Sequence, residues 1–428
     1  MNNLVIICAV LLLVLLFLKV PVYIAVLSAS AVYFIGTPGM NLSIFAQKTI
    51  SGAEGLSLLA IPFFVCAGIF MNYTGVTKRI MNCCEVLTAR MPGGLAQVNI
   101  LLSTLMGGLS GSSLADAAMQ CKMLVPTMEE KGYSKSFSTV ITAASGMVVP
   151  LIPPGVGLII YGCINNISIG KLFIAGIGPG IVLCVTLMIF THFLSKKRGY
   201  LPSRTTKIPV SEKVAAIKPA FLPLLLPIII IGGVRIGVFT ASEAGTVAIV
   251  YAVLLGLLYR ELTIKNVMQG CKETVTTTAS IMLIVAAATC FSWILTKEQI
   301  PQQFSQWMIS NIHNKYVFLI MVNIFLLIVG MFIEGNASMI VLAPLLHPVA
   351  MAYGINDIHF AMVYIFNCTI GAFTPPMGTL MFVSCGITKC PTKDFIKEAV
   401  PFYILFAIDI IVLTYIPQLT TFLVNVFY

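Results

Sequence analysis

Residues 145–162 read SGMVVPLIPPGVGLIIYG, an apolar stretch that holds Pro150, Pro153 and Pro154 together with Gly146, Gly155 and Gly157. Each proline removes a backbone donor and clashes with the preceding turn, and the glycines relax it further, so a helix entering this stretch must break. Inside a membrane a break leaves N–H and C=O groups without water, at several kcal/mol each. Such a break persists only where it lines a polar cavity or binds something. The motif has an echo in NCTIGAFTPPMGTLMFVSCG, Asn367 to Gly386, where Pro375 and Pro376 follow Pro153 and Pro154 at an offset of 222.

The composition sets the solvent. Of 428 residues 58% are hydrophobic and only 9% charged, against about 25% charged in soluble domains. The chain is an all-α polytopic membrane protein by this measure. Its net charge of +10 resides in short basic runs between apolar spans, a topology signal rather than a nucleic-acid surface. Twelve cysteines without a CxxC, many inside apolar runs, read as packing residues, and His192, His313, His347 and His359 never recur at the i, i+3 or i+4 spacing of a paired haem or metal site. No transition-metal site is expected. The first twenty residues lack the basic n-region of a signal peptide and read as the first span.

Apolar spans fall near 3–18, 20–36 and 55–74, followed by a charged amphipathic stretch at 77–90 that suits the membrane interface. Residues 93–133 form two short apolar arms around a Gly/Ser cluster, the pattern of a re-entrant hairpin with its tip at Ser110 to Ser113. The broken helix (136–164) and a further span (171–194) close the first half. After a basic linker the order returns: spans near 221–238, 242–259 and 275–296, an interfacial stretch at 298–313, a hairpin at 316–353 tipped by Glu334 to Ser338, a broken helix at 358–386 and a last span at 399–425. Gly132 and Gly354, Lys171 and Lys393, and Pro179 and Pro401 keep the same offset of 222.

Counting the hairpins as non-crossing gives each half five crossings, and an odd number inverts the second half. Inverted-topology repeats are the signature of secondary transporters. This topology splits the 25 Lys and Arg residues 20 to 5. Lys48, Lys171, Arg235, Lys297 and Lys315 fall on one side; the other twenty, including Lys19 and the linker's Lys196, Lys197, Arg198, Arg204 and Lys207, fall on the other. The basic side is cytoplasmic, which places both termini outside.

The polar interruptions hold the candidate site. Small oxygen donors beside prolines suit a hard cation such as Na⁺, and helix N-termini leaving the tips and breaks suit a carboxylate. Ser113 to Asp116 also fits an S-x-x-[DE] capping box, which would give Asp116 a purely structural task, and Glu334 equally suits a helix N-terminus. Glu243 and Asp409 are expected to meet a partner helix or the interface. No nucleophile, base and orienter can be assembled for an enzyme, and no P-loop for an ATPase.

GGLSGSSLADAA, ASGMVVPLIPPGVGLIIYG, SIGKLFIAGIGPG, TASEAGTVAIVYAVLLGLLYREL and GMFIEGNASMIVLAPLLHPVAMAYGINDIHFAMVYIFNCTIGAFTPPMGTLMFVSCGI closely resemble the large membrane subunit of tripartite ATP-independent periplasmic (TRAP) transporters. The resemblance covers essentially the whole chain. It implies an elevator-type, Na⁺-coupled importer of organic anions in the bacterial inner membrane, within the ion-transporter superfamily. It implies two partners, a small four-helix membrane subunit, expected as a separate chain because this one starts directly with a span, and a soluble periplasmic binding protein. Family substrates include C4-dicarboxylates and sialic acid, and the EGN at Glu334 to Asn336 looks like the sialic-acid branch.

Polar interruption and family position together place one Na⁺ at Ser110, Ser112, Ser145, Gly146 and Val149, and another at Gly335, Asn336, Asn367, Gly371, Thr374 and Met377. Ser113, Asp116 and Thr379 are expected to face the substrate. The expected partition is scaffold at 1–92, transport elements at 93–194, cytoplasmic linker at 195–220, scaffold at 221–314 and transport elements at 315–428. The alternative is a stand-alone carboxylate symporter or antiporter of the same superfamily that needs no binding protein.

Overall fold

The computed structural model describes every residue except 1, 2, 19, 205 and 207, so Lys19 and Lys207 of the charge count lie outside the described residues. Among the described residues every regular element is a helix. The first half comprises α1 (Asn3–Phe17), α2 (Val22–Gly36), α3 (Leu42–Ser51), α4 (Ala60–Asn72), α5 (Val76–Thr88), α6 (Gly94–Ser110), α7 (Ser113–Glu130), α8 (Lys135–Gly146), α9 (Val156–Asn165) and α10 (Ile169–Lys197). The second comprises α11 (Val210–Ile236), α12 (Ala241–Leu258), α13 (Ile264–Lys297), α14 (Ile300–Asn311), α15 (Lys315–Phe332), α16 (Gly335–Ala352), α17 (Asp357–Phe373), α18 (Thr379–Thr388), α19 (Thr392–Tyr415) and α20 (Gln418–Phe427).

The offset of 222 reappears in these bounds. α7 and α16 start and stop in register, and α6, α8, α9 and α10 begin within a residue of the places that α15, α17, α18 and α19 predict. Both breaks fall at the Pro–Pro pairs, whose peptide bonds are cis in each half. Caps recur too: Ser134 Oγ accepts the Phe137 N–H at 3.3 Å, and Asn356, its counterpart, accepts from Ile358 and His359 at 3.1 Å.

Four local expectations are corrected. α5 leaves α4 at a 67° bend, and α3 and α4 together correspond to the single helix α13, because the first half is interrupted between Gly52 and Leu59. α13 therefore runs 34 residues, well beyond the expected 275–296. α11 begins at Val210, so much of the expected linker at 195–220 is helical. The last span is two helices, α19 and α20, bent by 48° at Pro417.

Among the described residues six helices are long and apolar enough to cross a membrane, or up to eight if each bent pair is one span. Exposed Ile6, Val10 and Leu13 on the shorter α1, Ile228 on α11, Leu254 on α12, Ile324 on α15 and Ile404 on α19 give these helices an apolar outer face. Lipid tails are as apolar as leucine, so burial alone does not hold such helices together; close packing and polar contacts do. The halves interlock accordingly: α7 packs on α18, and α16 on α9. One close crossing pairs Gly330 of α15 with Gly371 of α17, where a Cβ on Gly371 would lie 2.6 Å from the Gly330 Cα.

Gly371→Ala is expected to lower the midpoint of thermal unfolding in detergent by several degrees, an overpacking cost of about 1–3 kcal/mol. Gly386→Ala, at an exposed helical glycine with nothing within 4 Å, is expected to leave it unchanged or raise it.

Candidate functional site

Two turns and two breaks meet at one place. α6 ends on Gly111, whose φ of +62° and closeness to the Pro154 carbonyl, 2.9 Å from where a Cβ would lie, both require glycine. Ser112 caps α7 by accepting the Ala115 N–H at 3.4 Å. The Val156 N–H that opens α9 donates to the Gly111 carbonyl at 3.4 Å, so the tip sits directly on its own break. In the second half Glu334 caps α16, taking the Ala337 N–H at 3.1 Å. Asn336 and Met339 in turn lie against Gly157 of α9.

These pieces enclose a cavity of about 420 Å³. Ser110, Ser112, Ser113, Pro150, Gly335, Asn336 and Thr379 line it, as do Val156, Gly157, Glu334, Cys368 and Thr369. α7, α9, α16 and α18 all begin at its wall. Each N-terminus brings the positive end of a helix dipole to the wall, so four fixed partial charges converge on one space. Among the described residues no Lys, Arg or His lines it, and Glu334 is the one acidic side chain in its wall. The chemistry available is electrostatic: backbone amides for an anion, hydroxyl and carbonyl oxygens for a cation.

The other expected residues lie behind the wall. Ser145 is fully buried, its Oγ 3.1 Å from both Asn99 Oδ1 and Ser103 Oγ and 2.9 Å from the Thr142 carbonyl. Asp116 belongs to the same network: Gln120 Nε2 donates to Asp116 Oδ2 at 2.7 Å and to Ser103 Oγ at 2.8 Å. Asp116 neither forms the Ser113 capping box, since the cap is Ser112, nor lines the cavity. Asn367, 222 residues after Ser145, donates to Asn323 Oδ1 and the Val363 carbonyl, both at 2.8 Å. Among the described residues Ser110 Oγ, Asp116 Oδ1, Gln120 Oε1 and Asn367 Oδ1 are buried without a hydrogen-bond partner.

Gly146 packs within van der Waals reach of the Ser113 carbonyl, and Val149 lies against Gly107, so both sit where tip and break touch. Gly371 is buried against α15. Thr374 closes α17 through its N–H to the Gly371 carbonyl at 3.0 Å, and its own carbonyl lies against Gly378. Met377, Pro153, Pro154, Pro375 and Pro376 stand in the breaks but off the cavity wall. Asp409 meets a partner helix as expected, accepting from Thr186 Oγ1 at 3.0 Å, whereas Glu243 closes a capping box with Thr240.

Sequence reasoning missed Asn72, Thr277 and Ser280, which bring α4 and α13 to the cavity, and the supporting Asn99, Ser103, Gln120 and Asn323. The signal was present: Thr277 and Ser280 are three apart on one helix face, and the others are polar residues inside apolar runs.

Residues 9–419 match the family described as "Tripartite ATP-independent periplasmic transporter, DctM component". The chain belongs to this family of TRAP transporter large permeases. It is 39% identical over 414 residues to the sialic acid TRAP transporter large permease protein SiaM of Vibrio cholerae, covering 96% of each. It is 35% identical over 400 residues to the 2,3-diketo-L-gulonate large permease YiaN of Escherichia coli, covering 93% of this chain and 94% of that one. The C4-dicarboxylate large permease DctM of Pseudomonas aeruginosa is 35% identical over 381 residues, 89% of each. The crystal structure of the Alcanivorax borkumensis YdaH transporter shares the fold, with a TM-score of 0.60 over 92% of this chain and 96% of that one at 13% identity. This permease is therefore a transporter component of a multi-pass membrane type and not an enzyme.

Asn323→Ala would strip the Asn367 amide of an acceptor at a buried site. It is expected to cost about 1–3 kcal/mol, read as a lowered thermal midpoint of the purified permease.

Proposed function

We propose that this permease imports an organic acid anion, of the sialic acid or C4-dicarboxylate type, across the bacterial inner membrane by Na⁺ symport. One observation carries the reading: four helix N-termini meet one cavity whose wall, among the described residues, holds no cationic side chain. An anion there is held by backbone amides, and the carboxylate of Glu334 in the same wall calls for a cation beside it. Buried oxygens without partners on Ser110 and Asn367, with the carbonyls freed at the breaks, are suited to Na⁺. Ser112, Ser145, Gly146 and Val149 would complete the first Na⁺ site. Gly335, Asn336, Gly371, Thr374 and Met377 would complete the second.

In this reading α6–α10 and α15–α20 move as the transport unit, and α1–α5 and α11–α14 stay as scaffold. Both termini face the periplasm and the basic segment before α11 faces the cytoplasm. A small membrane subunit braces the scaffold, and a periplasmic binding protein delivers the substrate. The names borne by the relatives support the substrate class, and the family's description supports the three-part assembly.

Proteoliposomes holding the permease, its small partner and the cognate binding protein are expected to take up radiolabelled sialic acid or succinate only with an inward Na⁺ gradient. Uptake without the binding protein would favour a stand-alone carrier, and uptake indifferent to Na⁺ would overturn the symport. Asn367→Ala is expected to raise the Na⁺ concentration for half-maximal uptake by about tenfold, the equivalent of one lost ligand contact of about 1.4 kcal/mol.

A further inference from the structure

Trp293 near the end of α13 carries two lysines. Lys48 of α3 places its Nζ 5.6 Å from the Trp293 ring centroid, and Lys297 at the end of α13 places its own at 5.5 Å. The indole itself is fixed from within by Phe34 of α2, stacked at 5.6 Å and 14° between planes, and Phe34 in turn meets Phe45 of α3 edge-on at 5.7 Å. Lys297 is braced further by the Met40 sulfur at 3.2 Å from Nζ and the Tyr33 ring at 5.9 Å. Neither ammonium has a carboxylate within ion-pair distance among the described residues. The neighbouring acid on α13, Glu298, is engaged by the Tyr33 hydroxyl, and Glu54 stands exposed in the turn after α3.

Two unpaired cations over one aromatic platform cost self-repulsion unless an anion shares them. The surroundings say which kind. α3 is a short helix of 10 residues, and on or beside it Ile35, Leu42 and Ile50 are 73%, 56% and 60% exposed; Ile6, Val10 and Leu13 of α1 are exposed too. The repeat does not impose the cluster, since the positions 222 residues away are Gly270, Met71 and Gly75. We propose that Lys48, Lys297 and the Trp293 platform form a binding site for the phosphate of an anionic phospholipid headgroup, with the acyl chains lying on exposed apolar residues of α1–α3. Lysine suits this task as a point charge for phosphate, and tryptophan is the residue that settles at headgroup depth.

The chain has only two tryptophans, Trp293 and Trp307, and Trp307 lies on α14. Trp307→Phe in the full chain leaves Trp293 as the sole indole, whose fluorescence is read in bilayers containing brominated lipids. Brominated phosphatidylglycerol is expected to quench at lower mole fraction than brominated phosphatidylcholine. Lys48→Gln and Lys297→Gln are each expected to cut that preference by about fivefold, while Lys315→Gln leaves it intact. Equal quenching by the two lipids, or a preference that survives the double Lys48→Gln, Lys297→Gln variant, would overturn the proposal. Abolition of the preference by millimolar inorganic phosphate would assign the site to a free anion instead. Loss of quenching on adding the small membrane subunit would assign it to a protein contact.

Discussion

A backbone amide set free inside a bilayer has no water to turn to. This single constraint organises the molecule, because the chain breaks its own helices twice at membrane depth, at Pro153–Pro154 and at Pro375–Pro376, and must then satisfy or exploit what the breaks release. A hairpin tip and a helix end answer part of the demand. Gly111 lays its carbonyl against the N–H of Val156, and Thr374 folds back on Gly371. What is left over, four helix starts and the orphaned Ser110 hydroxyl, is gathered at one cavity, with the orphaned oxygens of Asp116, Gln120 and Asn367 behind its wall, and that unsatisfied polarity marks the candidate functional site.

The two halves serve the cavity with different chemistry on similar frames. At the equivalent cap positions stand Ser112 and Glu334, and at the equivalent positions behind the wall stand Ser145 and Asn367. Ser145 leans on Asn99, Ser103, Gln120 and Asp116, while Asn367 leans on Asn323 and, through it, Thr414 of α19. A duplicated backbone thus holds two polar networks of unlike composition. Interlocking makes neither half complete alone, since α7 is finished by α18 and α16 by α9.

Much of this was legible in the sequence. Proline pairs, glycine-serine clusters and a constant offset are local signals, and they located the tips, the breaks and seven of the cavity's lining residues. The misreadings come from tertiary context. S-x-x-D from Ser113 to Asp116 is a capping box on paper, but Ser112 takes the cap and Asp116 turns inward to Gln120. Asn72, Thr277 and Ser280 looked like ordinary residues of scaffold spans, because nothing local says which face of α4 or α13 meets the cavity. Family likeness named the chain's company, and side-chain packing decided where each residue stands.

One asymmetry bears on mechanics. The first half is jointed between α3 and α4, whereas α13 runs unbroken for 34 residues. At 1.5 Å per residue that is about 50 Å, far longer than a hydrocarbon layer of about 30 Å. Such a rod must tilt or stand proud of the membrane. Its first turns carry Lys265, Asn266, Gln269, Lys272 and Glu273, so it is this polar end that reaches into water. Matched in register, the two halves are unmatched in continuity: one is a jointed pair, the other a mast.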